Sequence, residues 1–196
     1  MRALLSPRVP VTVDSAPCQE VVRLGDDVDL DMLPIPVWTP GRDPAPYITT
    51  CVVNRHADTR VQNMGVYRTR VRDARSVIVN LAPGRQGHAC ARSYLDQGKP
   101  APIAWVIGAE PAVYLAAVAN LPMGVDELTV AGGLQGAPVE LVRAKTSDLL
   151  VPASAEIIIE GEPSIQARIV GGIFGDTATA GCTANILHQT AMAHPG

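Results

Sequence analysis

No apolar run in this chain is long. The two strongest, APIAWVIGA (residues 101–109) and AEIIIEG (155–161), fall far short of the roughly 20 residues a helix needs to cross a bilayer. Short runs rich in β-branched residues, punctuated by Pro, Gly and Asp, are the pattern of strands joined by turns. The chain is therefore expected to build a mixed sheet or barrel with peripheral helices, an α+β fold and not a doubly wound one. The N-terminus, MRALLSPRVPVTV, has neither the continuous apolar stretch nor the small-residue cleavage site of a secretory leader, so a cytoplasmic protein with no membrane association is expected.

With 196 residues, 47% of them hydrophobic, the chain can bury one substantial core. A net charge of −3 without any Lys/Arg block gives no electrostatic reason for a nucleic-acid partner. The four cysteines, Cys18, Cys51, Cys90 and Cys182, are scattered and form no C-x-x-C pair, which reads as reduced, mostly buried thiols.

Residues 17–47 carry many prolines and acids and read as an ordered loop wrapping the body. Residues 47–73 then give two strand-like runs around a polar turn, a hairpin, and SVIVNLA (76–82) is a further short strand. GHACARSYLDQG (87–98) predicts a short helix closed by Gly98, and EPAVYLAAVANL (110–121) a helix with Pro111 in its first turn. PIAWVIGA is a buried strand, VDELTVAGGLQG (125–136) a glycine-interrupted helix or turn, and residues 138–162 two or three strands separated by TSD and PAS.

Within QNMGVYRTR, strand alternation puts Asn63, Gly65, Tyr67 and Thr69 on one side and Met64, Val66, Arg68 and Arg70 on the other. Arg68 would then share a largely apolar face, where a guanidinium needs an anionic partner; the plainer reading is a surface arginine on an edge strand. An asparagine, a histidine and a glutamate drawn from three segments, Asn63, His88 and Glu127, could compose an oxygen-rich site for Mn²⁺ or Mg²⁺. Taken singly, His88 reads equally as a helix-start histidine bonded to backbone, and Glu127 as a solvated carboxylate. The glycine-rich stretch IVGGIFGDTATAG (169–181) has Asp176 after Gly175 where a phosphate loop carries lysine, and no strand–helix unit follows it. A turn presenting Asp176 beside Ile173 and Phe174 remains, and apolar neighbours could raise its pKa enough for acid–base work.

Several segments together, DLDMLPIPVW, residues 47–71, PAPIAWVIGAEPAVYLAA, residues 126–162 and IFGD, resemble the UbiD-type decarboxylases in that family's order, over roughly residues 28 to 177. The resemblance implies a β-rich split-barrel flavin-binding domain over 47–177, with a wrapping segment over 1–46 and a divergent tail over 178–196. It implies prenylated FMN as cofactor, its phosphate tied to the protein by Mn²⁺ (or Mg²⁺), with K⁺ as a further ion. Asn63 and Glu127 match the family's metal ligands, and His88 falls near the third across a gap. Val66, Tyr67 and Arg68 match the segment touching the flavin; His88 is counted with them, and Arg68 also faces the substrate carboxylate. Asp176 matches an acid that protonates the carbon losing CO₂. Gly171 stands where the family has a glutamate, so one carboxylate of that network is missing.

The activity implied by this resemblance is that of a non-oxidative decarboxylase, reversible as a carboxylase, acting on an aromatic or α,β-unsaturated acid. The alternatives are a non-catalytic flavin-binding module and one subunit of a split enzyme. A homo-oligomer is expected, with a second subunit able to supply the family's C-terminal domain.

Overall fold

The computed structural model describes residues 6–119, 121–122 and 124–161. Asp176, Gly171, Cys182 and the whole 169–181 stretch lie outside these residues.

Among the described residues ten strands form three small sheets. β3 (Cys51–Arg55), β4 (Gln62–Val66), β7 (Ile103–Ile107) and β10 (Ile157–Gly161) make the central one, all antiparallel, in the order β10-β7-β3-β4. β2 (Tyr47–Ile48), β5 (Thr69–Asp73) and β6 (Ser76–Val79) make the second, in the order β2-β5-β6. In the third, β1 (Val11–Val13) runs parallel to β8 (Glu140–Arg143), which pairs antiparallel with β9 (Leu150–Pro152). The α-helices α1 (Gln86–Leu95), α2 (Pro111–Val118) and α3 (Glu127–Gln135) complete a mixed α+β fold among the described residues. Among the described residues no sheet closes into a barrel.

The central sheet is buried on both faces, and its period-two alternation sorts its side chains between two cores. Cys51, Val53, Met64, Ala104 and Val106 point into the larger core with Val113 and Ala116 of α2, Leu128 and Ala131 of α3, and Leu141, Val142 and Val151 of the third sheet. Val52, Ile103 and Trp105 point the other way, against Leu30, Ile48 and Val71. Each fully buried aliphatic side chain here contributes about 1.5–3 kcal/mol.

The helix ends follow their sequence signals. Pro111 occupies the first turn of α2, where its missing N–H costs nothing. Asp126 caps α3 by accepting from Leu128 N at 3.0 Å, and Gly136 ends it at φ 78°, a backbone conformation that disfavours any side chain. VDELTVAGGLQG is thus a helix despite its paired glycines; Gly132 packs so close to Arg8 O that a Cβ would approach it at 2.7 Å. The loop over 17–47 contains three short 3-10 helices, at Pro17–Gln19, Gly25–Asp27 and Leu30–Met32.

One expectation needs correction. Residues 47–73 do not form a single hairpin: only β3 and β4 pair as one, while β2 and β5 belong to the second sheet. The chain breaks at Tyr67–Arg68, between β4 and β5. Thr69 Oγ1 fixes the break by donating to Tyr67 O at 3.2 Å while accepting from the Trp105 indole N–H at 2.8 Å.

Candidate functional site

The break decides where the candidate residues point. Up to Val66 the alternation holds, and Asn63 and Gly65 share a face with Tyr67, whose ring folds back over Gly65. A Cβ at Gly65 would sit 2.8 Å from Tyr67 Oη, and one at Gly87, in the first turn of α1, closer still. Two bare backbones thus form the seat of the phenol. Burial pushes the Tyr67 hydroxyl up from its ordinary value, and hydrogen bonds from Asn63 and the Gly87 N–H partly offset this.

Asn63 is buried at the centre of this arrangement. Its Nδ2 donates to Asn54 Oδ1 at 2.9 Å and to Tyr67 Oη at 3.3 Å, and Asn54 Nδ2 donates to Gly87 O at 2.8 Å. Beside it, β4 is an edge strand, and Met64 N donates to Glu127 Oε2 at 3.3 Å. Glu127 is 8% exposed, not the solvated carboxylate its sequence context alone suggests. Among the described residues it forms no ion pair. Burial pushes its carboxyl above the ordinary range; its own and the Met64 backbone N–H pull the other way, and Asp126 adds repulsion. Its charge also reaches Tyr67 and the buried Cys90 thiol, which is pushed up to about 11 by burial first and Glu127 second.

A buried carboxylate without a cation is costly unless an ion completes it. Glu127 and the carboxamide oxygen of Asn63, to which no protein group donates among the described residues, supply the hard oxygen donors that Mn²⁺ or Mg²⁺ prefers. The residues present fit such an ion. No group of three His, Cys, Asp or Glu side chains converges among the described residues, so this donor set depends on asparagine.

His88 is half-buried in the first turn of α1, next to Gly87, and its imidazole makes no hydrogen bond among the described residues. Val66 is half-buried against the larger core. Arg68 follows the plainer surface reading and not the apolar-face one: with the strand ended, its side chain is 67% exposed. Its guanidinium lies 4.9 Å from the centroid of the Tyr47 ring, with Nη2 3.9 Å from Asp43 Oδ1. Asp43 is itself held by the Thr39 N–H at 2.8 Å. The structure thus gathers Asn54, Asn63 and Tyr67 beside Gly87, with Glu127 bonded to the Met64 N–H that follows Asn63, while Arg68 stands on the exposed side of the break.

Sequence reasoning passed over Asn54 and Gly87, and gave Gly65 a face but no role. An asparagine within CVVNR breaks an otherwise apolar run, and that is the one signal the sequence offers for it.

Residues 10–192 match the family model described as UbiD, 3-octaprenyl-4-hydroxybenzoate carboxy-lyase Rift-related domain. An evolved dimeric form of the UbiD-class enzyme HmfF from Pelotomaculum thermopropionicum, in complex with prFMN, is similar at 37% identity and TM-score 0.76, over 83% of this chain and 39% of that one. The 3,4-dihydroxybenzoic acid decarboxylase AroY of Klebsiella pneumoniae is similar at 33% identity and TM-score 0.74, over 85% and 38%. The vanillic acid decarboxylase of Sedimentibacter hydroxybenzoicus in closed form is similar at 29% and 0.77, over 82% and 36%. The chain spans about two fifths of the length of these relatives. With a family model matched across nearly all of its residues and UbiD-class structures similar over more than four fifths of its length, this chain belongs to the UbiD family.

Proposed function

We propose that the chain forms the flavin-binding part of a prenylated-FMN-dependent, non-oxidative decarboxylase, reversible as a carboxylase, of an aromatic or α,β-unsaturated carboxylic acid. The observation that carries the reading is the buried Glu127, which accepts from the Met64 N–H and has no cationic partner among the described residues, together with Asn63, whose carboxamide oxygen takes no donor among them. Asn63 and Glu127, with His88 as third ligand, would hold Mn²⁺ or Mg²⁺, which would tie the cofactor phosphate to the protein, and K⁺ would be a further ion of the site. Val66, Tyr67, Arg68 and His88 line the cofactor. The fold is read as a split barrel over 47–177, with 1–46 wrapping it and 178–196 as a divergent tail.

Prenylated FMN, when bound, supplies the electron sink for loss of CO₂. Arg68 orients the substrate carboxylate, its guanidinium preset against the Tyr47 ring. Asp176 delivers the proton to the carbon that loses CO₂. The prFMN complex of HmfF and the decarboxylases AroY and vanillic acid decarboxylase support cofactor and reaction class. Exposed Leu115, Val118 and Leu134 on α2 and α3 support a homo-oligomer or a second subunit covering that face.

The test is cofactor retention. Protein incubated with prenylated FMN and Mn²⁺, then desalted, should keep the flavin, lose it when EDTA is present, and fail to keep it as Glu127→Gln. Retention independent of both metal and Glu127 overturns the reading.

A further inference from the structure

We propose that Asn54 is a positioning residue that determines which atom of Asn63 faces the metal ion. The inference rests on the reading of Asn63 as a metal ligand. It starts from an anomaly of burial: Asn54 is 2% exposed in a strand whose neighbours are Cys51, Val52 and Val53, where an apolar side chain would serve packing better.

The logic of the network is one of donors and acceptors. Asn54 and Asn63 sit directly opposite each other in the β3–β4 register. Gly87 O is a backbone carbonyl and can only accept, so the Asn54 group 2.8 Å from it must be the NH₂. That leaves Asn54 Oδ1 turned to Asn63. Because this oxygen too can only accept, the Asn63 group 2.9 Å away must be its NH₂. The second hydrogen of that NH₂ reaches Tyr67 Oη at 3.3 Å. Both amide hydrogens of Asn63 are then used, and Oδ1 is the one atom left to face a ligand.

An amide nitrogen has no lone pair to offer a hard cation, so the orientation matters. Without Asn54 the carboxamide of Asn63 is free to rotate and present NH₂ to the ion. Asn54 itself spends both of its polar ends inside the protein and touches neither ion nor cofactor. A fixed backbone carbonyl in α1 thereby dictates, through two side chains, the donor atom at the site. Outer partners of this kind typically govern metal affinity by about 10–100-fold.

The test uses the full chain and Mn²⁺ alone, with free Mn²⁺ read from its EPR signal and folding checked by circular dichroism. Asn54→Leu should weaken Mn²⁺ binding about 10–100-fold; Asn54→Ala gives the same ordering without added bulk. The discriminating background is Asn63→Asp, whose two carboxylate oxygens are equivalent and need no orienting. There Asn54→Leu should leave Mn²⁺ affinity unchanged or improve it, because Asn54 Oδ1 then opposes a carboxylate. Equal losses in the two backgrounds, or no loss in the Asn63 background, overturn the inference while leaving the metal site standing. Failure of the wild type to bind Mn²⁺, or Asn63→Leu binding as tightly as wild type, overturns the metal reading and this inference together.

Discussion

The phenol of Tyr67 occupies the space a side chain at Gly87 would need, so the first turn of α1 and the end of β4 fit together through the absence of a methyl group. In an ordinary helix, Gly→Ala gains up to about 1 kcal/mol from propensity. Here overpacking, typically about 1–3 kcal/mol, acts against it. Gly87→Ala should therefore destabilise the chain in urea unfolding, and the sign should reverse in a Tyr67→Ala background. A stabilising Gly87→Ala in the wild-type background would show that the ring does not hold this position.

Glu127 gives a pH signature. Burial lifts its carboxyl above the ordinary value of 4.5, so the folded, metal-free chain binds this proton more tightly than the unfolded chain. The resulting stabilisation is complete below 4.5 and is lost as pH rises through the raised folded value. Without metal, Glu127→Gln should melt above wild type at about pH 7.5, and its advantage should shrink toward about pH 4.5. Mn²⁺ requires the ionised form, so wild-type Mn²⁺ affinity should grow across the same window. A flat difference between wild type and Glu127→Gln across that range would contradict the burial of this charge.

Arg68, 67% exposed, stands 3.9 Å from the half-buried Asp43, a long pair open to solvent on the arginine side, and such pairs contribute little to stability. Asp43→Asn should change unfolding free energy by no more than about 0.5 kcal/mol. It also removes a carboxylate that competes with substrate for Arg68, so KM for the carboxylic acid should fall. A large loss of stability, or a raised KM, would mean that Asp43 holds Arg68 in its working position.

The thiols should divide by burial. Cys51 is fully buried and its thiol is pushed up to about 12, and Cys90 to about 11. Cys18, half-buried and also raised by burial, is the most accessible of these three. Iodoacetamide should modify Cys18 well ahead of Cys51 and Cys90 in the native protein, as read by peptide mass mapping. Equal modification of all three would contradict the packing of the central sheet and α1.

The helices and most strands were legible because their signals are local. Pro111 opening α2, Gly98 beyond α1 and Gly136 closing α3 each act within one turn of chain. The face shared by Asn63, Gly65 and Tyr67 was legible from alternation alone. Arg68 was misplaced by the same rule, because Thr69 and Trp105, 36 residues apart, break the strand before it. The pairing of three-residue β1 with β8 had no local signal, since VTV can pair anywhere until the core fixes its register. Family resemblance singled out Glu127 and Asn63 in the sequence, whereas Asn54 and Gly87 matter only through contacts made in the folded chain.

The most direct test of the central claim is CO₂ release by protein reconstituted with prenylated FMN and Mn²⁺, screened over aromatic and acrylic acids and compared with Arg68→Ala. The account predicts release from at least one acid, falling about 100-fold or more in Arg68→Ala as carboxylate orientation is lost. Release at the wild-type rate by Arg68→Ala, or no release from any acid by flavin-loaded wild type, would contradict it.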